Sequence, residues 1–292
     1  MSSAGAHLGA DVGTGVGGGG DLTDGDGLAS RGLLVVGPGA SFGVELLRRF
    51  GREGFALGVV TRSADTLARI RDELAAESPA AAGTATDGTT DGTATNGAAG
   101  DSAAGGEVSG HGLTLAGAVA DVTDSAGLAA AIERVVAGIG GLTALVYNAK
   151  ISIRGAALTV PPATLNETFA VNVTGALATI QAGIGSLEDR PGATILLTST
   201  SPRTAPVAGR FALAVGKSGL TALAEALRPV LAVRGVRLRT VLLDGRVAPG
   251  GPLRPQDVAE HYWQAYAAPR GDIFRLAPVR RGASVAQLPL EV

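Results

Sequence analysis

From residue 32 onward, short runs rich in Val, Leu and Ile alternate with stretches of helical spacing, and this rhythm restricts the chain to one class of architecture. The apolar runs cover 32–37, 56–60, 113–119, 142–147, 193–198 and 236–243. None alternates apolar with polar residues, as a strand with one wet face would, so each is expected to be buried on both sides. Between them lie helical stretches at 41–52, 63–76, 125–139, 162–187 and 208–231, and Ser63 is placed to cap the second. A shorter helix is expected at 255–267, followed by an edge strand at 272–276. Strands alternating with helices imply a parallel sheet covered on both faces, a doubly wound α/β fold in one domain. Such sheets take ligands at the carboxyl ends of their strands, so the residues just after each strand are the ones to read for function.

Two segments stand apart from this rhythm. Residues 1–30 are rich in Gly with four Asp, and 78–112 consist largely of Ala, Gly, Thr, Ser and Asp. Neither offers enough apolar surface to offset the entropy of ordering, so both are expected to be disordered. The second reads as an insertion in a surface loop of a domain spanning 31–292. A net charge of −2 gives no electrostatic footprint for nucleic acid. The first basic residue is Arg31 and the chain has no cysteine, a pattern expected of a cytoplasmic protein without disulfides. His7, His111 and His261 are too scattered for a metal site. The uncharged run 168–187 contains Asn172, Thr174, Thr179 and Gln181, and is expected to be a buried helix rather than a membrane span.

Two glycine clusters compete for a phosphate-binding role. Gly13-Thr14-Gly15-Val16-Gly17-Gly18 has the spacing but no strand before it and no helix after it. Gly37-Pro38-Gly39-Ala40-Ser41-Phe42-Gly43 follows the first strand and opens the first helix, where a tight turn can bring backbone N–H groups to a pyrophosphate. At the end of the second strand stands Thr61-Arg62. An acid there would bind a ribose 2′-hydroxyl, whereas Arg62 suits a 2′-phosphate, so NADP(H) is expected over NAD(H).

The 37–43 turn, with Ser41 in place of a middle glycine, resembles the cofactor loop of the short-chain dehydrogenase/reductase superfamily, whose fold is of the Rossmann type. In the same register, Asp121-Val122 resembles the family's adenine-contacting pair, and Asn148-Ala149 resembles part of its V-N-N-A-G segment, with Tyr147 and Lys150 departing from it. The resemblance implies that Gly37, Gly39, Ser41, Phe42, Gly43, Thr61, Arg62, Asp121, Val122, Asn148 and Lys217 hold the cofactor. Lys150 can meet a phosphate, an acidic substrate or solvent.

The family's catalytic groups are a Ser, a Tyr, a Lys and a supporting Asn. Asn172, in Asn172-Val173-Thr174-Gly175, matches the Asn, although a structural bond is an alternative role for it. Thr200 takes the serine position, with Ser199 as the alternative, and Lys217 matches the Lys. Lys217 is also one of only two lysines among 24 basic residues, the other being Lys150. Four residues before Lys217 the family has Tyr, and here stands Leu213. The longer spacing of enoyl reductases would need Tyr at Arg210. The segment 257–263 and Leu242-Leu243-Asp244-Gly245 resemble a divergent subgroup that often lacks the Tyr. The resemblance thus implies an NADP(H)-dependent oxidoreductase of a carbonyl or alcohol substrate with an atypical active site. The alternative is a non-redox pseudoenzyme, regulator or cyclase on the same fold. The apolar surroundings of helices 162–187 and 208–231 also suggest a homodimer or homotetramer.

Overall fold

A computed structural model describes residues 31–39, 42–76, 115–200 and 209–278. The expected disordered segments, 1–30 and 78–112, lie outside the described residues, as do Ala40 and Ser41. The strands are β1 (Gly32–Val36), β2 (Ala56–Thr61), β3 (Leu115–Val119), β4 (Ala144–Tyr147), β5 (Thr194–Ser199), β6 (Arg237–Leu243) and β7 (Ile273–Leu276). The helices are α1 (Phe42–Gly51), α2 (Ala64–Ala75), α3 (Ser125–Gly138), α4 (Pro162–Phe169), α5 (Gly175–Leu187), α6 (Phe211–Val233) and α7 (Pro255–Ala267). Ser63 caps α2 by accepting from Thr66 N, as its place before the helix suggested.

The strands form one parallel sheet in the order β3-β2-β1-β4-β5-β6-β7. Successive residues of a strand point to opposite faces, and both faces are dry here. Leu33, Val35, Val146 and Leu196 pack with α1 and α7, while Leu34, Val36, Leu145, Ile195 and Leu197 pack with α3, α5 and α6. Chain order reverses between β1 and β4, so the loops leaving these two strands diverge and open a crevice at the carboxyl edge.

Two buried features were not anticipated. The expected continuous helix 162–187 is broken by a π-helical turn, Ala170–Thr174, centred on the fully buried Asn172. Such a turn inserts one residue into the helix and frees carbonyls, and is frequent at functional sites. The Tyr147 hydroxyl donates to the Val171 carbonyl, and Thr168 and Thr179 satisfy their own hydroxyls on Thr164 O and Gly175 O at 2.8 and 2.7 Å. The 162–187 stretch is long and apolar enough to cross a membrane by length and composition; here it packs on α3, α6 and the sheet. The second feature is Arg239 in β6, which is 1 % exposed. It donates to the carbonyls of Ala265, Tyr266 and Ala268 and so caps the C-terminus of α7. Burial lowers its pKa to about 10.

Candidate functional site

The glycine turn sits at the crevice where chain order reverses. Gly37 has φ +70°, and a Cβ on it would stand 2.5 Å from Ala149 Cα, so only glycine fits between β1 and the strand beside it. A Cβ on Gly43 would stand 2.3 Å from Pro38 Cβ, which explains why α1 begins so tightly against the turn. Asn148 Nδ2 donates to Gly37 O at 2.8 Å and to Pro38 O at 3.4 Å, tying the end of β4 to the turn. Of the residues expected in this loop, Gly37, Gly39, Phe42, Gly43 and Asn148 converge, while Ser41 lies outside the described residues. Phe42 packs its ring on Tyr262 at 5.1 Å, so its side chain belongs to the core and only its backbone can face a ligand.

Further along the sheet, Thr61 is buried at the end of β2 and Arg62 is exposed just beyond it. Asp121 accepts from Thr123 N at 2.9 Å and from Thr123 Oγ1 at 2.7 Å. These bonds, and secondarily the Arg62 charge, hold its carboxyl below the usual range. Arg62 and Asp121 therefore lie near each other at the ends of β2 and β3. Val122 is half-buried beside Gly175, where an added Cβ would meet it at 3.0 Å.

The catalytic candidates meet at the ends of β4 and β5. Lys217 on α6 is 3 % exposed, and its Nζ donates to Thr198 O at 2.6 Å. Burial, and secondarily the Lys150 charge, lower its pKa to about 7. Gly216 permits this position: a Cβ there would stand 2.9 Å from Thr168 Cγ2 and 3.1 Å from Asn172 Nδ2, so α6 crosses close to the π turn. Asn172 accepts from Ile151 N at 2.8 Å and donates to Ile151 O at 3.2 Å. Both ends of its amide thus hold the backbone of Ile151, just after Lys150, which is the structural bond raised as an alternative to the catalytic supporting role. Ser199 is buried, with its Oγ on Lys217 O at 3.4 Å and Thr221 Oγ1 at 3.5 Å. It faces into α6, and the half-buried Thr200 is the hydroxyl left at the strand end. Leu213 is half-buried and belongs to neither core cluster.

Two contributors escaped the sequence reading. Tyr147 supports the π turn through Val171, and burial, with the Asp121 charge second, raises the pKa of its phenol. Its replacement of a small amide in the resembling motif was the available signal. Tyr262 hydrogen-bonds Thr198 Oγ1 at 2.5 Å from the opposite face of the sheet, and nothing local in the sequence pointed to it.

A parallel sheet of this order, with a glycine turn at its crossover point and a buried lysine at its carboxyl edge, defines a Rossmann-type protein. The sequence matches the short chain dehydrogenase family over residues 101–247, about half of its length, and the chain belongs to that family of nicotinamide-dependent oxidoreductases. It is 32 % identical over 126 residues to a protein of Xanthobacter autotrophicus named inactive 2-(S)-hydroxypropyl-CoM dehydrogenase 2. That match covers 43 % of this chain and 54 % of the relative, so the chain spans about half the length of the curated relative it matches. Among solved structures it is similar to an alcohol dehydrogenase from Thermococcus sibiricus complexed with 5-hydroxy-NADP, with TM-score 0.64, 19 % identity and coverage of 86 % and 97 % of the two chains. A short chain oxidoreductase from Pseudomonas aeruginosa containing an atypical catalytic center is similar with TM-score 0.60 and 18 % identity, covering 88 % and 78 %. At these identities the likeness is one of fold.

Proposed function

We propose that this chain is an NADP(H)-dependent oxidoreductase that interconverts a carbonyl compound and its alcohol at a site without the family's tyrosine. The observation that carries the proposal is Lys217, a buried amine fixed at the end of β5 on the same edge of the sheet as the glycine turn. Burying a cation without a carboxylate partner costs free energy, and among the described residues none pairs with it. A Leu or Met would fill the place at no such cost.

The turn fits a dinucleotide. Among the described residues a Cβ on Gly39 would meet only Asn148 Nδ2, at 3.9 Å, so the loop offers an open cradle beside the start of α1. Gly37, Gly39, Gly43 and Asn148 would hold the pyrophosphate end, and Arg62 the 2′-phosphate. When bound, the cofactor supplies or accepts a hydride at the substrate carbon. Thr200 would donate a hydrogen bond to the substrate oxygen. Leu213 has no proton to give, so Lys217, with a pKa near neutrality, would deliver it directly or through water. Asn172 positions the 150–151 backbone that forms the neighbouring wall.

The test is a titration of the purified protein with NADPH and NADH, followed by turnover on a panel of ketones. NADPH is expected to bind more tightly, and Arg62→Ala to narrow the gap. Equal affinity for both removes the NADP(H) assignment. Two observations favour the second, non-redox reading: Leu213 removes the usual acid, and the curated relative is itself named inactive. In that case NADPH binds and is not consumed with any ketone.

A further inference from the structure

The described segments around this site carry cations and no acids. Between residues 134 and 166 there is no Asp or Glu, and the same holds from 190 to 224. The fold joins these stretches: Gly155 and Arg210 form a parallel bridge. In it, Gly155 N donates to Gly209 O at 2.9 Å and Phe211 N to Gly155 O at 3.3 Å. Arg210 thereby stands at the start of α6, exposed, across from the segment that begins with the exposed Lys150. Lys217 lies two turns into the same helix. The protein around the Lys150 amine, and secondarily the Arg210 charge, lower its pKa, while Lys150 in turn depresses Lys217. Each cation is thus within electrostatic reach of the next, and among the described residues no carboxylate acts on either lysine. Asp244, the acid that follows β6, is buried and paired with Arg275.

Like charges held together without a counter-charge repel, and a surface that keeps them so is poised for an anion. Lys150 also occupies a position where the resembling motif has glycine, and it is one of only two lysines in the chain. From this arrangement we propose that Lys150 and Arg210 form a subsite for a carboxylate, so that the substrate is an oxo acid or hydroxy acid whose anionic end is gripped at the mouth. Its oxygen-bearing carbon then reaches inward to Thr200 and Lys217. The proposal rests on the oxidoreductase reading for the fate of that carbon, while the anion subsite itself does not.

The probe pair is 4-acetylbenzoate and its methyl ester, which share a ketone and differ by one charge. Isothermal titration of each into the full-length protein, with and without NADPH, reads the subsite directly. The acid is expected to bind about tenfold more tightly than the ester or better, as for a charge-assisted contact, and to weaken as salt is raised. Lys150→Met and Arg210→Met are each expected to remove most of that preference, and Lys150→Arg to keep much of it. Both side chains are exposed, so the variants should fold, and an unchanged NADPH affinity checks this. Equal affinity for acid and ester in the wild type overturns the proposal. So does a variant that weakens NADPH binding and leaves the acid preference intact, since the charges then serve the cofactor. A preference for the acid without any NADPH oxidation upholds the subsite and defeats the oxidoreductase reading instead.

Discussion

Replacing Lys217 with Met removes the amine while keeping most of the side-chain volume, and the pH dependence of stability should change with it. Lys217 is 3 % exposed, and burial first, then Lys150, bring its pKa from an ordinary 10.5 to about 7. Between these values the unfolded chain holds a proton that the folded chain has released, so stability rises with pH across the window. Below about pH 7 both states are protonated and the full cost of burying the charge is present. Above about 10.5 neither is, and the cost is gone. Each pH unit inside the window is worth about 1.4 kcal/mol. From pH 8 to 9.5 the wild type should therefore gain about 2 kcal/mol relative to Lys217→Met. Lys150 titrates in both proteins, so its own burial drops out of the difference and only its coupling to Lys217 remains. Urea unfolding of the cofactor-free protein gives the numbers, followed by the fluorescence of Trp263. This single tryptophan packs edge-on against Phe50 at 5.3 Å in the α1–α7 core. A difference that changes by less than about 0.5 kcal/mol over the interval, near the error of extrapolation, would show that the amine keeps an ordinary pKa. Proton delivery from Lys217 near neutral pH would then lose its basis.

Leu213→Tyr should raise NADPH-dependent reduction of an activated ketone by about tenfold or more, with little change in melting temperature, because Leu213 lies outside both core clusters. A folded, NADPH-binding variant with no gain in rate supports the non-redox reading. Asn172→Leu should cost about 1–3 kcal/mol by leaving the Ile151 peptide without its two partners; an unchanged denaturation midpoint refutes that role. We further propose that the chain forms a homodimer or homotetramer through its apolar helices, since Val230 and Val233 on α6 remain 54 % and 90 % exposed. A monomeric mass by light scattering at micromolar concentration refutes it.

The order of elements was legible because it follows from local rules. Unalternated Val/Leu/Ile runs gave the strands, Ser63 marked a helix start, and the glycine turn was placed by its strand and helix neighbours rather than by spacing alone. What escaped was set by contacts between distant residues. The π turn at Ala170–Thr174 depends on Tyr147, Asn172 and the Ile151 peptide meeting in space, and helical periodicity reads straight through it. Arg239 lies in a run that reads as a plain buried strand, and only the position of the end of α7 explains its burial. Ser199 and Thr200 are adjacent in sequence, so choosing between them required knowing which one faces α6. The strand pleat turns Ser199 inward toward α6, and the role of Thr200 belongs to the proposed function.

The site retains what costs stability and lacks what would be simplest to keep. A tyrosine on the first turn of α6 would sit half-exposed at little cost, whereas Lys217 is buried with a depressed pKa and, among the described residues, no carboxylate beside it. Had the pocket drifted free of any ligand, the buried amine would be the first feature expected to relax to an apolar residue, because each such change is stabilising. Under the proposed function a charge or a proton is needed at this point, beside Gly216 packed closely on Asn172 and Thr168. Lys150 bears on the same question, since its charge raises the cost of keeping Lys217 charged. An anion entering between Lys150 and Arg210 would reverse that balance, raise the pKa of Lys217 and restore its proton. Under the proposed oxo-acid reading, Leu213 in place of a phenol and the cations at the mouth fit one arrangement, in which the bound substrate itself charges the acid that acts on it.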